Sequence, residues 1–220
     1  ETVKQMKNIY SSFIGEYVIL DIGANIGTFS LPLAADFASD KRVKIIAFEA
    51  FEKNYQLLDA SRYLNTFGRK VSPALPTLHL VHKAVGANSA SSVCLRTEST
   101  NQGGTAVDWK SASSRGALDE CKYRIEQTTL DTELLPLLLS KKDIVMRKVA
   151  VLKIDCQGCE GRAIEGMQKI LSNKKLKPLV IYIETREKAI LDLLEAKYGY
   201  KKATKLEGSA PDDFKFIWQA

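Results

Sequence analysis

The sequence predicts a doubly wound α/β fold, a mostly parallel sheet with helices on both faces. Three features lead there. Short continuous apolar runs, of which Val18, Ile19 and Leu20 form the first, mark strands buried on both faces. Segments of helical periodicity lie between them, and this alternation implies right-handed βαβ crossovers. A length of 220 residues suits one well-filled domain spanning residues 1–220, with no second core.

Residues 2–14 place Val3, Met6, Tyr10 and Phe13 at spacings of three, four and three, as an amphipathic helix does. EYVILDIGANIG is the first strand with its turn. TFSLPLAADFAS is a helix whose Pro32 falls near the start, where a missing N–H costs least. VKIIAFEA is the second strand and EKNYQLLDASRYLN the second helix. A loop holding Pro73 and Pro76 leads to a third strand, TLHLVHKAVG. Residues 88–127, rich in Ser, Thr and Gly, read as an inserted hairpin-like excursion, with SVCLRTE and KYRIEQTTL around a loop at 101–104. Such an insertion is a natural place for substrate selection. VAVLKID is the fourth core strand, EGRAIEGMQKILSN its helix and PLVIYIE the fifth strand. EKAILDLLEAKYG is the last helix, stopped by Gly199. YKKATKLE and DFKFIWQA are strands able to pair antiparallel at the sheet edge.

Composition narrows the function classes. With 45% hydrophobic and 26% charged residues the sequence is ordinarily globular, and no apolar run is long enough to cross a bilayer. The net charge of +6 arises in clusters: Lys141, Lys142, Arg147 and Lys148; Lys174, Lys175 and Lys177; Lys201, Lys202 and Lys205. Aromatic residues do not interleave with these, so they read as solvated helix ends and loops rather than a nucleic-acid platform. Cys94, Cys121, Cys156 and Cys159 are too few and too scattered for a disulfide scaffold. The absence of an N-x-S/T site favours the cytoplasm or an organelle interior, though the compartment stays open. A start at Glu1 rather than Met reads as a processed or truncated form.

In a doubly wound sheet, ligands bind outside the carboxyl ends of the strands. There the first strand carries Asp21, Gly23, Asn25 and Gly27, glycines that allow a tight turn and close approach of a ligand. Asn25 stands where a dinucleotide fingerprint needs its second glycine, and no Gly-Lys-Ser/Thr is present for a nucleotide phosphate. D-x-G-x-N-x-G resembles the first motif of S-adenosylmethionine-dependent methyltransferases. The second strand ends in Glu49, an acid able to accept hydrogen bonds from both ribose hydroxyls of an adenosine.

VILDIGANIGTFS, IIAFEA, KAVGAN, the Asn-Gln-Gly-Gly at 101–104, TTLD and LKIDCQGCEGRAIEGM resemble successive blocks of the FkbM-type methyltransferase family. They span residues 18–167, and IYIE at 181–184 matches the family's fifth strand. The resemblance implies a seven-stranded, Rossmann-like class I methyltransferase fold. It further implies S-adenosyl-L-methionine as cofactor and O-methylation of a hydroxyl on a glycan or small molecule. By position, Asp21, Gly23, Ala24, Asn25 and Gly27 surround the methionine half, and Glu49 the ribose. Ala50 and Phe51 flank the adenine, His82 and Ala84 lie on its other side, and Asp155 faces the methyl group. Two positions depart from the family: Ala50 replaces a proline, and Cys156 and Gln157 replace Val and Glu. Gln157 hydrogen-bonds but cannot act as a base.

An alkyl hydroxyl must lose its proton as it attacks, and Asp155 is the first candidate base, followed by His82, Glu160 and Glu184. Asp155 serves equally well as an orienting group. Cys156 and Cys159, between a strand and a helix, also admit a redox or metal reading. Zinc needs four ligands, and with two histidines and no second C-x-x-C, packing substitution is favoured over metal. The rival functions are an RNA methyltransferase, suggested by the basic balance, and a non-catalytic methyltransferase-fold subunit of a larger assembly, suggested by Gln157 and Ala50.

Overall fold

The computed structural model describes residues 15–67, 78–89, 92–97, 105–108, 121–139, 147–201, 204–205 and 212–218. The helix expected at 2–14, the loop with Pro73 and Pro76, the turn at 101–104, and Lys141, Lys142 and Lys202 lie outside these residues. The described chain runs β1 (Glu16–Ile22), α1 (Ser30–Asp36), β2 (Val43–Phe48), α2 (Glu52–Phe67), β3 (Leu78–Val81) and β4 (Ala84–Val85). The excursion holds β5 (Val93–Arg96), β6 (Ala106–Val107) and β7 (Arg124–Ile125), and β8 (Gln127–Thr128) and α3 (Leu130–Leu138) follow. The second half runs β9 (Arg147–Ile154), α4 (Glu160–Glu165), α5 (Gln168–Ser172), β10 (Val180–Glu184), α6 (Lys188–Ala196), β11 (Thr204–Lys205) and β12 (Asp213–Ile217).

The main sheet has seven strands in the order β11-β12-β10-β9-β1-β2-β3. β3, β2, β1, β9 and β10 pair in parallel, while β12 pairs antiparallel with both β10 and β11. The sheet is therefore mixed, its parallel body closed by an antiparallel edge. From β1 the chain builds outward to β2 and β3, then returns to lay β9 on the other side. That reversal opens a crevice at the carboxyl ends of β1 and β9. β1 shows why its run is apolar throughout. Val18, Leu20 and Ile22 pack with α3, α4, α5 and α6 on one face, and Tyr17 and Ile19 with α1 and α2 on the other.

Two expected elements are broken, each for a long-range reason. TLHLVHKAVG splits into β3 and β4, because Lys83 pairs with Glu126 at 2.9 Å and Glu133 at 3.1 Å and β4 joins β8 instead of β2. EGRAIEGMQKILSN splits into α4 and α5 at Gly166, where an added Cβ would collide with the carbonyl oxygen of Gly86. The carboxylate of Asp131 accepts from the backbone N–H groups of Lys169 and Ile170, satisfying donors at the start of α5. In the excursion β5 pairs antiparallel with both β6 and β7. Cys94 and Cys121 form a disulfide there, a bridge that their scattered spacing, read as too sparse for a disulfide scaffold, did not indicate.

Candidate active site

A cavity opens over the carboxyl ends of β1, β2, β9 and β10 and is roofed by Leu95, Thr105 and Val107 of the excursion. Its floor is a turn that departs from β1. Gly23 has φ +78° and Asn25 φ +52°, and a Cβ on Gly23 would strike the carbonyl of Asp155. Glycine at 23 thus lets the ends of β1 and β9 touch, and the N–H of Asp155 donates to the Ile22 carbonyl at 3.0 Å. Gly27, at φ +91°, is favoured as glycine by its backbone and by its neighbours. A Cβ there would meet the side chains of Leu31 and Leu58.

Glu49 ends β2 with 7% of its surface exposed. Its Oε2 accepts from the N–H of Asn25 and its Oε1 from the N–H of Phe51, both at 2.8 Å. Each oxygen keeps a second lone pair. Burial pushes the carboxyl pKa up, the two N–H bonds and Lys153 oppose it, and the charge of Asp21 adds to the rise.

Lys153 joins the two halves of the site. Its Nζ lies 3.2 Å from Asp21 and 3.3 Å from Asp155, and donates to the Gly23 carbonyl at 3.1 Å. Burial works against the ammonium, but Asp21 and Asp155 outweigh it and raise its pKa. Asp21 is fully buried beneath the turn, where Ser30 Oγ also donates to it.

Asp155, Gln157 and Glu184 form the polar wall. Gln157 Nε2 donates to Asp155 Oδ1 at 3.1 Å and to Glu184 Oε2 at 3.2 Å. Burial pushes Asp155 up, but the ammonium of Lys153 and hydrogen bonds from Glu184, Gln157 and Lys153 hold it below its ordinary value. Glu184 moves the other way. Its hydrogen bond with Asp155, its burial and the charges of Asp155, Asp213 and Glu160 push it up to about 7. Gln157 adopts φ +55°, so it and Asn25, the non-glycine residues in the left-handed region among those described, both line the cavity. Cys156 and Cys159 form a disulfide across that turn, which replaces the packing and metal readings with a covalent staple. No group of residues suited to a metal occurs among those described.

Of the residues singled out from sequence, Gly23, Ala24, Asn25 and Glu49 line the cavity, as do Ala50, Ala84 and Asp155. Asp21, Gly27, Phe51, His82 and Glu160 are not among its lining residues. The Phe51 ring stands edge-on to Tyr123. His82 stacks on Tyr55, with Nε2 3.2 Å from the Ala50 carbonyl and Nδ1 3.3 Å from Glu52. Glu160 accepts from the backbone N–H groups of Cys156 and Gly158, anchoring the stapled turn. Sequence reasoning missed Lys153, whose signal was a charged residue within an apolar strand. The sequence does not single out Leu95, Thr105 and Val107 individually, although they lie in the excursion that it marks as a place for substrate selection.

The model of the methyltransferase FkbM domain matches residues 21–202. No curated protein matches the chain. Among solved structures, the methyltransferase FkbM from Methylobacillus flagellatus KT superimposes with a TM-score of 0.51 at 16% identity, over 93% of this chain and 44% of that one. The METTL16 MTase domain superimposes with a TM-score of 0.49 at 12% identity, over 99% of this chain and 64% of that one. This chain spans less than two thirds of either structure's length, and at such identities the likeness to the first is one of fold alone. The family match covers every strand end that builds the cavity, from Asp21 to beyond Glu184, and the chain belongs to the methyltransferase FkbM domain family.

Proposed function

We propose that the protein is an S-adenosyl-L-methionine-dependent O-methyltransferase acting on a hydroxyl of a glycan or small-molecule acceptor. Glu49 carries this reading: a buried acid held by two backbone N–H groups, with a free lone pair on each oxygen, suits a ribose diol. The charge of the cavity supports the same cofactor. Its two lysines are each paired with two carboxylates, Lys83 with Glu126 and Glu133 and Lys153 with Asp21 and Asp155. Glu49 and Glu184, which neither lysine pairs with, therefore favour a sulfonium cation over a pyrophosphate.

When bound, the cofactor supplies an electrophilic methyl group whose in-line displacement depends chiefly on alignment. Gly23, Ala24 and Asn25 line the methionine half, Glu49 binds the ribose, and Ala50 and Ala84 lie beside the adenine. Asp155 faces the acceptor and orients its hydroxyl. His82 and Glu160 take no part in the chemistry, because their contacts hold the adjoining turns. The chain works as one methyltransferase domain, with the excursion at about 88–127 closing the cavity.

Two features weigh against the rivals. A second cleft beside the cavity is lined by Gln157, Glu160, Glu184, Glu187 and Asp212, with Arg186 paired to Asp212 at 2.7 Å. Such a rim repels a phosphate backbone. Gln157, though a departure from the family, donates to both acids of the wall, which supports a working site over a vestigial one. Calorimetric titration with S-adenosylmethionine, followed by transfer of labelled methyl to glycan, small-molecule hydroxyl and RNA acceptors, tests the proposal. Absence of binding, or methylation of RNA alone, overturns it.

A further inference from the structure

We propose that Glu184 accepts the proton of the acceptor hydroxyl, while Asp155, paired with Lys153, orients that hydroxyl. The inference rests on the O-methyltransferase reading and assigns the proton within it. Glu184 ends β10 at the meeting point of the main cavity, the acidic cleft and a third pocket lined by Phe29, Tyr182 and Phe214. It is the residue these three share, so a hydroxyl arriving from either side meets its carboxylate. Asp155 is differently placed. One oxygen faces Lys153 at 3.3 Å and the other takes the Gln157 amide at 3.1 Å, so its charge is already compensated.

The charged and titratable groups around Glu184 act together. Asp155 follows β9, Lys153 lies on β9, Asp213 begins β12, Glu160 begins α4, and Arg186 follows β10. The three other acids raise the proton affinity of Glu184, whose pKa reaches about 7, whereas Asp155 is lowered. Arg186 stands against Asp212 at 2.7 Å. Near pH 7 Glu184 is therefore protonated about half the time while Asp155 stays ionised, so a basic carboxylate is free in a substantial part of the molecules. A base with a pKa near the working pH is the most effective proton acceptor.

The step balances. The acceptor oxygen forms its bond to the methyl carbon as the carbon–sulfur bond breaks and sulfur keeps the electron pair. The hydroxyl proton moves to the Glu184 carboxylate, giving a neutral acid that releases it to solvent. No oxidant, reductant or metal is needed.

The test has two arms. In the cofactor-free protein, infrared difference titration should show a protonated carboxyl band lost near pH 7. Glu184→Gln should remove that band, and Asp155→Asn should move it to lower pH by removing the neighbouring charge. A band unchanged in Glu184→Gln overturns the assignment. In transfer assays kcat/KM should rise with pH through the same region. Glu184→Gln should lower turnover about 10²–10⁴-fold and abolish that rise, while Glu184→Asp should restore part of both. Full transfer by Glu184→Gln with an unaltered pH profile overturns the inference and leaves the O-methyltransferase reading intact. Cofactor binding without transfer to any hydroxyl by the parent protein overturns both.

Discussion

Glu49 and Glu184 each end a core strand at the same rim of the sheet, yet their surroundings are opposite. Glu49 is held by backbone N–H groups from two turns and is buried. Glu184 is half-buried, and its carboxyl group meets the side chains of Asp155 and Gln157. Backbone donors are fixed by the fold and keep an acceptor in one orientation. Side-chain partners titrate and rearrange. The difference separates an acid built to bind from an acid built to exchange a proton.

Lys153 links the two acidic neighbourhoods, and its removal should have the largest effect. Lys153→Met leaves Asp21 buried without its cation, and a loss of about 3–5 kcal/mol in unfolding free energy is expected from breaking a buried pair. Urea denaturation measures it, and a loss below about 1 kcal/mol, the scale of an exposed pair, would dissolve the link. Next comes the roof. Cys94 and Cys121 close a separation of 27 residues, and their joint replacement by Ser should cost about 3.5 kcal/mol at most by loop-closure entropy. Thermal unfolding should show that loss, with cofactor affinity falling as Leu95 and Val107 leave their places.

Glu49→Ala should then weaken cofactor binding by about 1.5–3 kcal/mol, as hydrogen bonds to a charged group are worth. Calorimetric titration of the variant with S-adenosylmethionine measures this loss. Gln157→Glu should have the smallest effect. A third carboxylate cannot donate to Asp155 and Glu184, and its charge should move the pH rise of transfer upward. A faster enzyme with an unshifted profile would show that the amide bridge is dispensable.

The parallel body was legible because its strands are apolar on both faces, and Val18, Ile19 and Leu20 leave no alternative to burial. The breaks in TLHLVHKAVG and EGRAIEGMQKILSN were not legible. They depend on the pairs of Lys83 and on contact between Gly86 and Gly166, partners far apart in the chain. In the site, the turn after β1 and Glu49 could be read because one local segment supplies each. The mutual dependence of Asp155, Gln157 and Glu184 needs two strands to be brought side by side, and Gln157 alone looked like a loss. The bridge between Cys94 and Cys121 was hidden because nothing in their spacing states that β5 and β7 pair. At Gly27 the sequence pointed to a tight turn and ligand approach, and a demand it did not show is the room a Cβ would take from Leu31 and Leu58.

The joint at Gly166 bears on how substitutions in this chain would be tolerated. Its Cβ position is filled by the carbonyl oxygen of Gly86 and bordered by Thr129, backbone and β-branched neighbours that cannot swing aside. Even alanine would force α4 and the segment after β4 apart. A saturation library scored for activity should therefore find position 166 as unforgiving as the cofactor turn, although it is not among the residues lining the cavity. Inherited invariance there would record a collision between two stretches of main chain, and reading it as a binding determinant would assign chemistry to a hinge of pure geometry.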